Sequence, residues 1–277
     1  MMRINRPINA LVVVTLSLAA CGTGDTLAPP DGVNDNDPLI QISSEGGFVP
    51  VEYHLSRGPT FTVTQGGRFI YPSATTLEFP GKLVQPFFEA QLDDAQMAKI
   101  RDILEEMGIA EFVDGSDNSV TNVADASTEV IKYWDETGAH RYSVYALGIT
   151  DQSTEPATIA FAELFDYLHE LAGSTNGTAY EADEIRIVAR VYRGGFDPQF
   201  EDRRDWPLTG ENPDDWDVFT TIGEETWTCK VFEASLLQTF ADAKQTTVWA
   251  HPTESADAEN FQLLVRTLHP GEDGCDL

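Results

Sequence analysis

The side chains best suited to proton transfer or metal ligation are five histidines, His54, His140, His169, His251 and His269. None has a second ligand at metal-binding spacing. His169 falls between Leu168 and Leu171 in an apolar-periodic stretch, where a structural or solvent-facing imidazole is expected, and His54 and His140 fall on or beside expected strands. The sequence has no HExxH, no GxSxG, no SxxK, no P-loop and no dinucleotide fingerprint. With 46 Asp and Glu, a glycosidase-like carboxylate pair can be drawn almost anywhere, so no such choice carries information without geometry. Asp114, Asp117, Asn118, Asn122 and Asp125 offer calcium-type oxygens, and so does the run Asp31 to Asp37. Neither matches an EF-hand loop, and a solvated acidic segment is expected for both. No catalytic residue, cofactor or metal ligand is therefore assigned, and the chain reads as non-enzymatic. A hydrolase with an unrecognised carboxylate site is the third-ranked alternative.

Two turns carry a more specific pattern. Gly46-Gly47-Phe48-Val49-Pro50 and Gly194-Gly195-Phe196-Asp197-Pro198 each follow an expected strand, with a helix about forty residues later. They are the candidate binding loops. The echo suits a duplicated unit, although Gly and Pro also recur in unrelated turns because turns require them. Trp206, Trp216, Tyr192 and Phe200 could form an aromatic platform or simply cover the end of a sheet.

The elements that must position these loops follow from periodicity. Leu39 to Ile42 and Val51 to Leu55 read as strands, and Phe61–Thr64 with Arg68–Tyr71 reads as a hairpin about Gln65-Gly66-Gly67. A helix starts near Leu92-Asp93-Asp94, carries Met97, Ile100, Ile103, Leu104 and Met107 on one face, and stops at Gly108. A second hairpin joins residues 130–134 to 142–147, and a helix from Glu155-Pro156 runs to about Leu171. Beyond Gly173, strands are expected near 185–192, 218–222, 226–231, 246–249 and 261–268, with a helix over Glu233 to Ala243 and irregular chain from 194 to 217. The fold class is α+β, as two small domains, each an antiparallel sheet with one or two helices on one face. The domains span residues 38–172 and 183–277, with a linker at 173–182.

The chain has 277 residues and a formal charge of −29, with 42% apolar residues, enough to bury a core despite the charge. This acidity excludes nucleic acid and anionic headgroups as electrostatic partners, and it favours a neutral or basic ligand.

Residues 1–20 read as a signal peptide. Arg3 and Arg6 precede an apolar run from Ala10 to Ala20, too short to span a bilayer core of about 30 Å. The run closes on Leu18-Ala19-Ala20-Cys21-Gly22, which resembles the lipobox of bacterial lipoproteins. That resemblance implies lipidation of Cys21, cleavage before it, and anchoring to the outer face of a bacterial membrane. Residues 21–37 would then be the lipidated Cys and a flexible acidic tether with a reach of roughly 20–25 Å. Cleavage removes Arg3 and Arg6 from the 17 Lys and Arg, leaving 15 basic against 46 acidic side chains and a charge of −31.

With Cys21 taken by lipid in an exported chain, Cys229 and Cys275 remain, and an even remainder in an oxidising compartment is most simply a disulfide. From Ile40-Gln41-Ile42-Ser43-Ser44-Glu45-Gly46-Gly47-Phe48, through the Leu92 helix and the hairpin bearing Tyr133 and Tyr145, to the closing helix, the first domain resembles emfourin-type proteins in layout. These are small bacterial inhibitors of thermolysin-like metallopeptidases. The resemblance covers roughly half of the chain and assigns no inhibitory residue. The whole chain also looks like uncharacterised two-domain lipoproteins of Gram-positive high-GC bacteria. The leading expectation is a lipid-anchored extracytoplasmic binding protein for a protein, peptide or cell-wall ligand, and the alternative is an anchored peptidase inhibitor.

Overall fold

A computed structural model describes residues 34–73, 80–112, 114–118, 123–148, 153–194, 202–251 and 259–275. The signal peptide, Cys21, most of the tether, Gly195 and Phe196 lie outside the described residues.

The chain runs β1 (Pro38–Gly46), α1 (Val51–Ser56), β2 (Phe61–Thr64), β3 (Arg68–Pro72), β4 (Phe87–Gln91), α2 (Asp94–Met107), β5 (Asp114–Asp117), β6 (Ser127–Asp135), β7 (Gly138–Tyr145) and α3 (Pro156–Ser174). It continues as β8 (Thr178–Ala179), β9 (Glu184–Val191), β10 (Asp202–Asp205), β11 (Asp217–Ile222), β12 (Glu225–Glu233), β13 (Thr247–His251) and β14 (Glu259–Thr267). The first sheet has the order β5-β7-β6-β1-β2-β3-β4-β8 and the second β10-β13-β14-β9-β12-β11. Pairing is antiparallel except β5 with β7 and β10 with β13. This is the expected α+β class in two domains.

Local chemistry explains the elements that the sequence predicts well. Asp93 caps α2 by accepting from the Gln96 amide at 2.8 Å, while Gln96 Oε1 accepts from the Asp93 amide at 2.9 Å. Gly108, at φ +64°, ends the helix with its amide donating to the last turn. Ile100, Ile103, Leu104 and Met107 of α2 join Phe161, Leu164 and Leu168 of α3 in one core with Ile40, Ile42, Phe61, Val63 and Phe69 of the sheet.

Five expectations are corrected. Val51 to Leu55 forms a helix rather than a strand. Val51 and Leu55 lie four apart, so a helix puts both on one face as surely as a strand does, and packing against the second domain decides between them. The expected helix over Glu233 to Ala243 is a short 3-10 helix, Ala234–Phe240. The acidic stretch at 114–117 is an edge strand, with Asp114 paired to Arg141 and Asp117 accepting from Ser153 and Thr158. The irregular stretch likewise contains β10, and Thr178–Ala179, within the expected linker, pairs with β4.

The two sheets are locked together by two excursions of the first domain. Strand alternation puts Ile185, Ile187 and Ala189 on one face of β9 and Arg186, Val188 and Arg190 on the other. On the first face, Leu83 and Val84 enter the core of Trp216, Phe240, Trp249, Leu263 and Val265, and the Leu83 amide donates to Ala243 O at 2.9 Å. On the second, Leu55 of α1 joins Val188, Trp227, Cys229 and Leu264. One domain thus grips both faces of its neighbour's sheet.

The interdomain cleft as candidate functional site

The groove between β1, β6 and the C-terminal turn is built at this junction. Its inner end is a cavity of about 230 Å³ lined by residues that include Ser44, Glu45, His54, Arg57, Lys132, Arg186, Arg266 and Asp273. It shares Lys132, Gly271 and Asp273 with an outer space of about 660 Å³ that reaches Asp37, Trp134, Asp135 and His140. Gly46 to Pro50 connects Glu45 to the helix bearing His54, so the first Gly-Gly-Phe loop runs between two elements that line the inner end.

That loop is held open by its glycines. Gly46 and Gly47 have φ of +69° and +84°, a region unfavourable to L side chains, and Gly46 still pairs in register with Ser127. Phe48 is consequently 88% exposed, with Val49 and Tyr53 also exposed beside it, and the Arg57 guanidinium lies 3.9 Å from the centre of the Tyr53 ring. The second loop is described only at Gly194, whose partners Gly195 and Phe196 lie outside the described residues.

Arg186 is the unusual group of the site. It is 4% exposed, donates to Leu55 O at 2.7 Å and Gly274 O at 3.4 Å, and packs on the Phe219 ring. Its Nε has no partner. Glu272, the acid whose charge acts on it, is committed to a two-pronged contact with Arg266 at 2.7 and 2.8 Å. Burial, reinforced by Arg266 and opposed by Glu272, brings the Arg186 pKa down to about 9. Glu272 itself is held below the ordinary carboxylate range: burial opposes its ionisation, but the Arg266 hydrogen bonds and charge together with His269 outweigh it. His269 is buried, shares a 2.9 Å hydrogen bond between Nδ1 and Thr62 Oγ1, and has no partner at Nε2. Burial, with Arg266 and Arg68, drives its pKa down to about 4 against the pull of Glu272.

At the outer end, Asp135, Thr137 and His140 lie within hydrogen-bond reach of one another, a grouping that sequence alone did not single out. Asp135 Oδ1 and Thr137 Oγ1 both meet His140 Nε2, at 3.0 and 3.1 Å, and Nδ1 meets Phe112 O at 3.0 Å. A catalytic triad needs the acid on one ring nitrogen and the nucleophile on the other. Here both meet the same nitrogen, so the group staples the β6–β7 turn. Burial opposes ionisation of Asp135, but hydrogen bonds from Thr137 and His140 keep its carboxyl below the usual range.

Cys229 and Cys275 form the expected disulfide, with Cα atoms 5.8 Å apart. Among the described residues no His, Cys, Asp and Glu cluster is suited to hold a metal ion, and no helix is long and apolar enough to cross a membrane. The fold and the site define the chain as a two-domain α+β protein with an interdomain cleft and an exposed aromatic loop. Comparison with family models, with curated proteins and with solved structures gives no match.

Proposed function

We propose that this is a lipid-anchored binding protein of the outer face of a bacterial membrane, non-enzymatic, which recognises a protein, peptide or cell-wall component through the Phe48 loop. The observation that carries the reading is Phe48, a large aromatic almost fully in solvent on a loop set by two positive-φ glycines. Aromatic anchors that project before binding supply much of the energy of small interfaces, because little side-chain entropy remains to be lost. The anchor rests on Cys21 in its lipobox-like setting. The Cys229–Cys275 bridge is in keeping with an oxidising compartment.

A photo-crosslinking residue at position 48 is expected to give discrete adducts in cells, whereas one at Ile159, which is also exposed but lies on α3, gives none of them. Identical adducts from both positions would sink the loop's role. Replacing Cys21 with Ser is expected to move the protein from the detergent to the aqueous phase on partition; unchanged partition refutes lipidation.

The second reading is an anchored inhibitor of thermolysin-like metallopeptidases, favoured by the same projecting aromatic in the domain that resembles emfourins. It expects inhibition that Phe48→Ala weakens by about tenfold or more, as for a buried hot spot. Absence of inhibition at micromolar protein ends it.

A further inference from the structure

In a chain with 46 acidic and 17 basic side chains, most cations are expected to sit beside acids. The inner end of the cleft breaks this expectation. Arg266 is paired with Glu272, and Glu45 with Arg141. Arg57, Lys132 and Arg186 line the same cavity and, among the described residues, make no ion pair. The single uncommitted acid there is Asp273. A surplus of positive charge is thus concentrated around a buried guanidinium with an unused Nε donor. Burying an unsatisfied donor on a charged group costs free energy that a bound anion would offset.

The groove's polarity narrows the ligand. Beyond Lys132 and Asp273, the outer space is lined by Asp37 and Asp135 beside Trp134, and its arginine, Arg141, is already paired with Glu45 and Asp114, so the space favours a cation next to an apolar body. A dianion such as phosphate would meet Asp273 in the same cavity and the repulsion of the whole acidic chain, whereas a carboxylate carries one charge and can accept from the one free donor of Arg186, its Nε, as well as from Arg57 and Lys132. We infer that the inner end of the cleft binds a carboxylate, and that a short zwitterionic peptide fits the groove with its C-terminus at Arg57, Lys132 and Arg186 and its ammonium toward Asp37 and Asp135. Such a ligand is neutral overall, which reconciles a local cationic pocket with the acidic chain. The inference stands on the cleft's own cations and requires neither the anchor nor the Phe48 loop.

The test is calorimetric titration of the full-length protein with trialanine, its C-terminal amide, its N-acetyl form, acetate, succinate and inorganic phosphate. Trialanine is expected to bind, amidation to weaken it by about tenfold or more, and N-acetylation to weaken it less, since the outer acids are more exposed to solvent screening. Arg57→Ala and Lys132→Ala are each expected to lower affinity several-fold while leaving the melting temperature unchanged, because both side chains reach solvent. Arg186→Met is expected to abolish binding; where it fails to fold, the two rim variants decide the matter. Acetate or succinate binding more tightly than trialanine supports the carboxylate site but overturns the peptide as its ligand. Equal binding of the amide, tighter binding of phosphate, or no saturable binding of any carboxylate at concentrations on the order of 10 mM overturns the site.

Discussion

Replacing Cys229 and Cys275 with serine is expected to lower the unfolding free energy by about 4 kcal/mol, the chain-entropy value for a loop of 46 residues. The effect reaches beyond the unfolded state. Cys229 is fully buried in β12, and Cys275 closes the C-terminal turn, which carries His269, Pro270 and Glu272. Those residues receive Gln41 Nε2 on Pro270 O at 2.8 Å, meet Thr62 at His269, and pair Arg266 with Glu272. Releasing the turn from the second sheet therefore loosens the junction and the cleft together. Denaturant unfolding with and without reductant measures the cost. A midpoint that does not move on reduction would show that the turn is held by its packing alone.

Acidification from pH 7 to pH 4 is expected to destabilise the same junction. His269 has a pKa of about 4 in the folded protein against an ordinary value of 6.5, so between these pH values the unfolded chain binds a proton that the folded one refuses. The stability contributed by the neutral imidazole is present above pH 6.5 and lost as pH falls toward 4. Complete loss amounts to about 3 kcal/mol. Glu272 acts in the same direction, because its depressed pKa contributes stability above the ordinary carboxylate range that disappears as it protonates. Partial neutralisation of 46 acids relieves repulsion over this range and opposes the trend. The deciding quantity is therefore the difference between the wild type and His269→Phe in melting temperature against pH. The variant loses the Thr62 hydrogen bond and starts lower at pH 7, by about 1–2 kcal/mol. Its deficit is expected to shrink or reverse by pH 4.5. Parallel curves for the two proteins would show that His269 does not carry the acid sensitivity.

The sequence by itself determined the elements whose signals are local. The helix start at Asp93, the helix stop at Gly108, the alternation of β9 and the Gln65-Gly66-Gly67 turn each depend on residues a few positions apart, and each folds as predicted. The Cys229–Cys275 bridge was legible too, through the expectation that lipid takes Cys21, and Gly46, Gly47 and Phe48 were legible as an exposed loop. Tertiary structure decided the rest. Val51 to Leu55 satisfies both a helical and a strand period, and only Val188, Trp227 and Leu264 on the opposing sheet select the helix. β5 and β10 are short, polar edge strands that form by pairing with β7 and β13 and carry no apolar pattern of their own. The cleft was least legible of all. Arg57, Lys132 and Arg186 are separated by 75 and 54 positions, and no local rule connects them. They share one cavity because the first domain wraps both faces of the second sheet, and the net charge of the chain, a sum over all residues, conceals where the uncompensated cations gather.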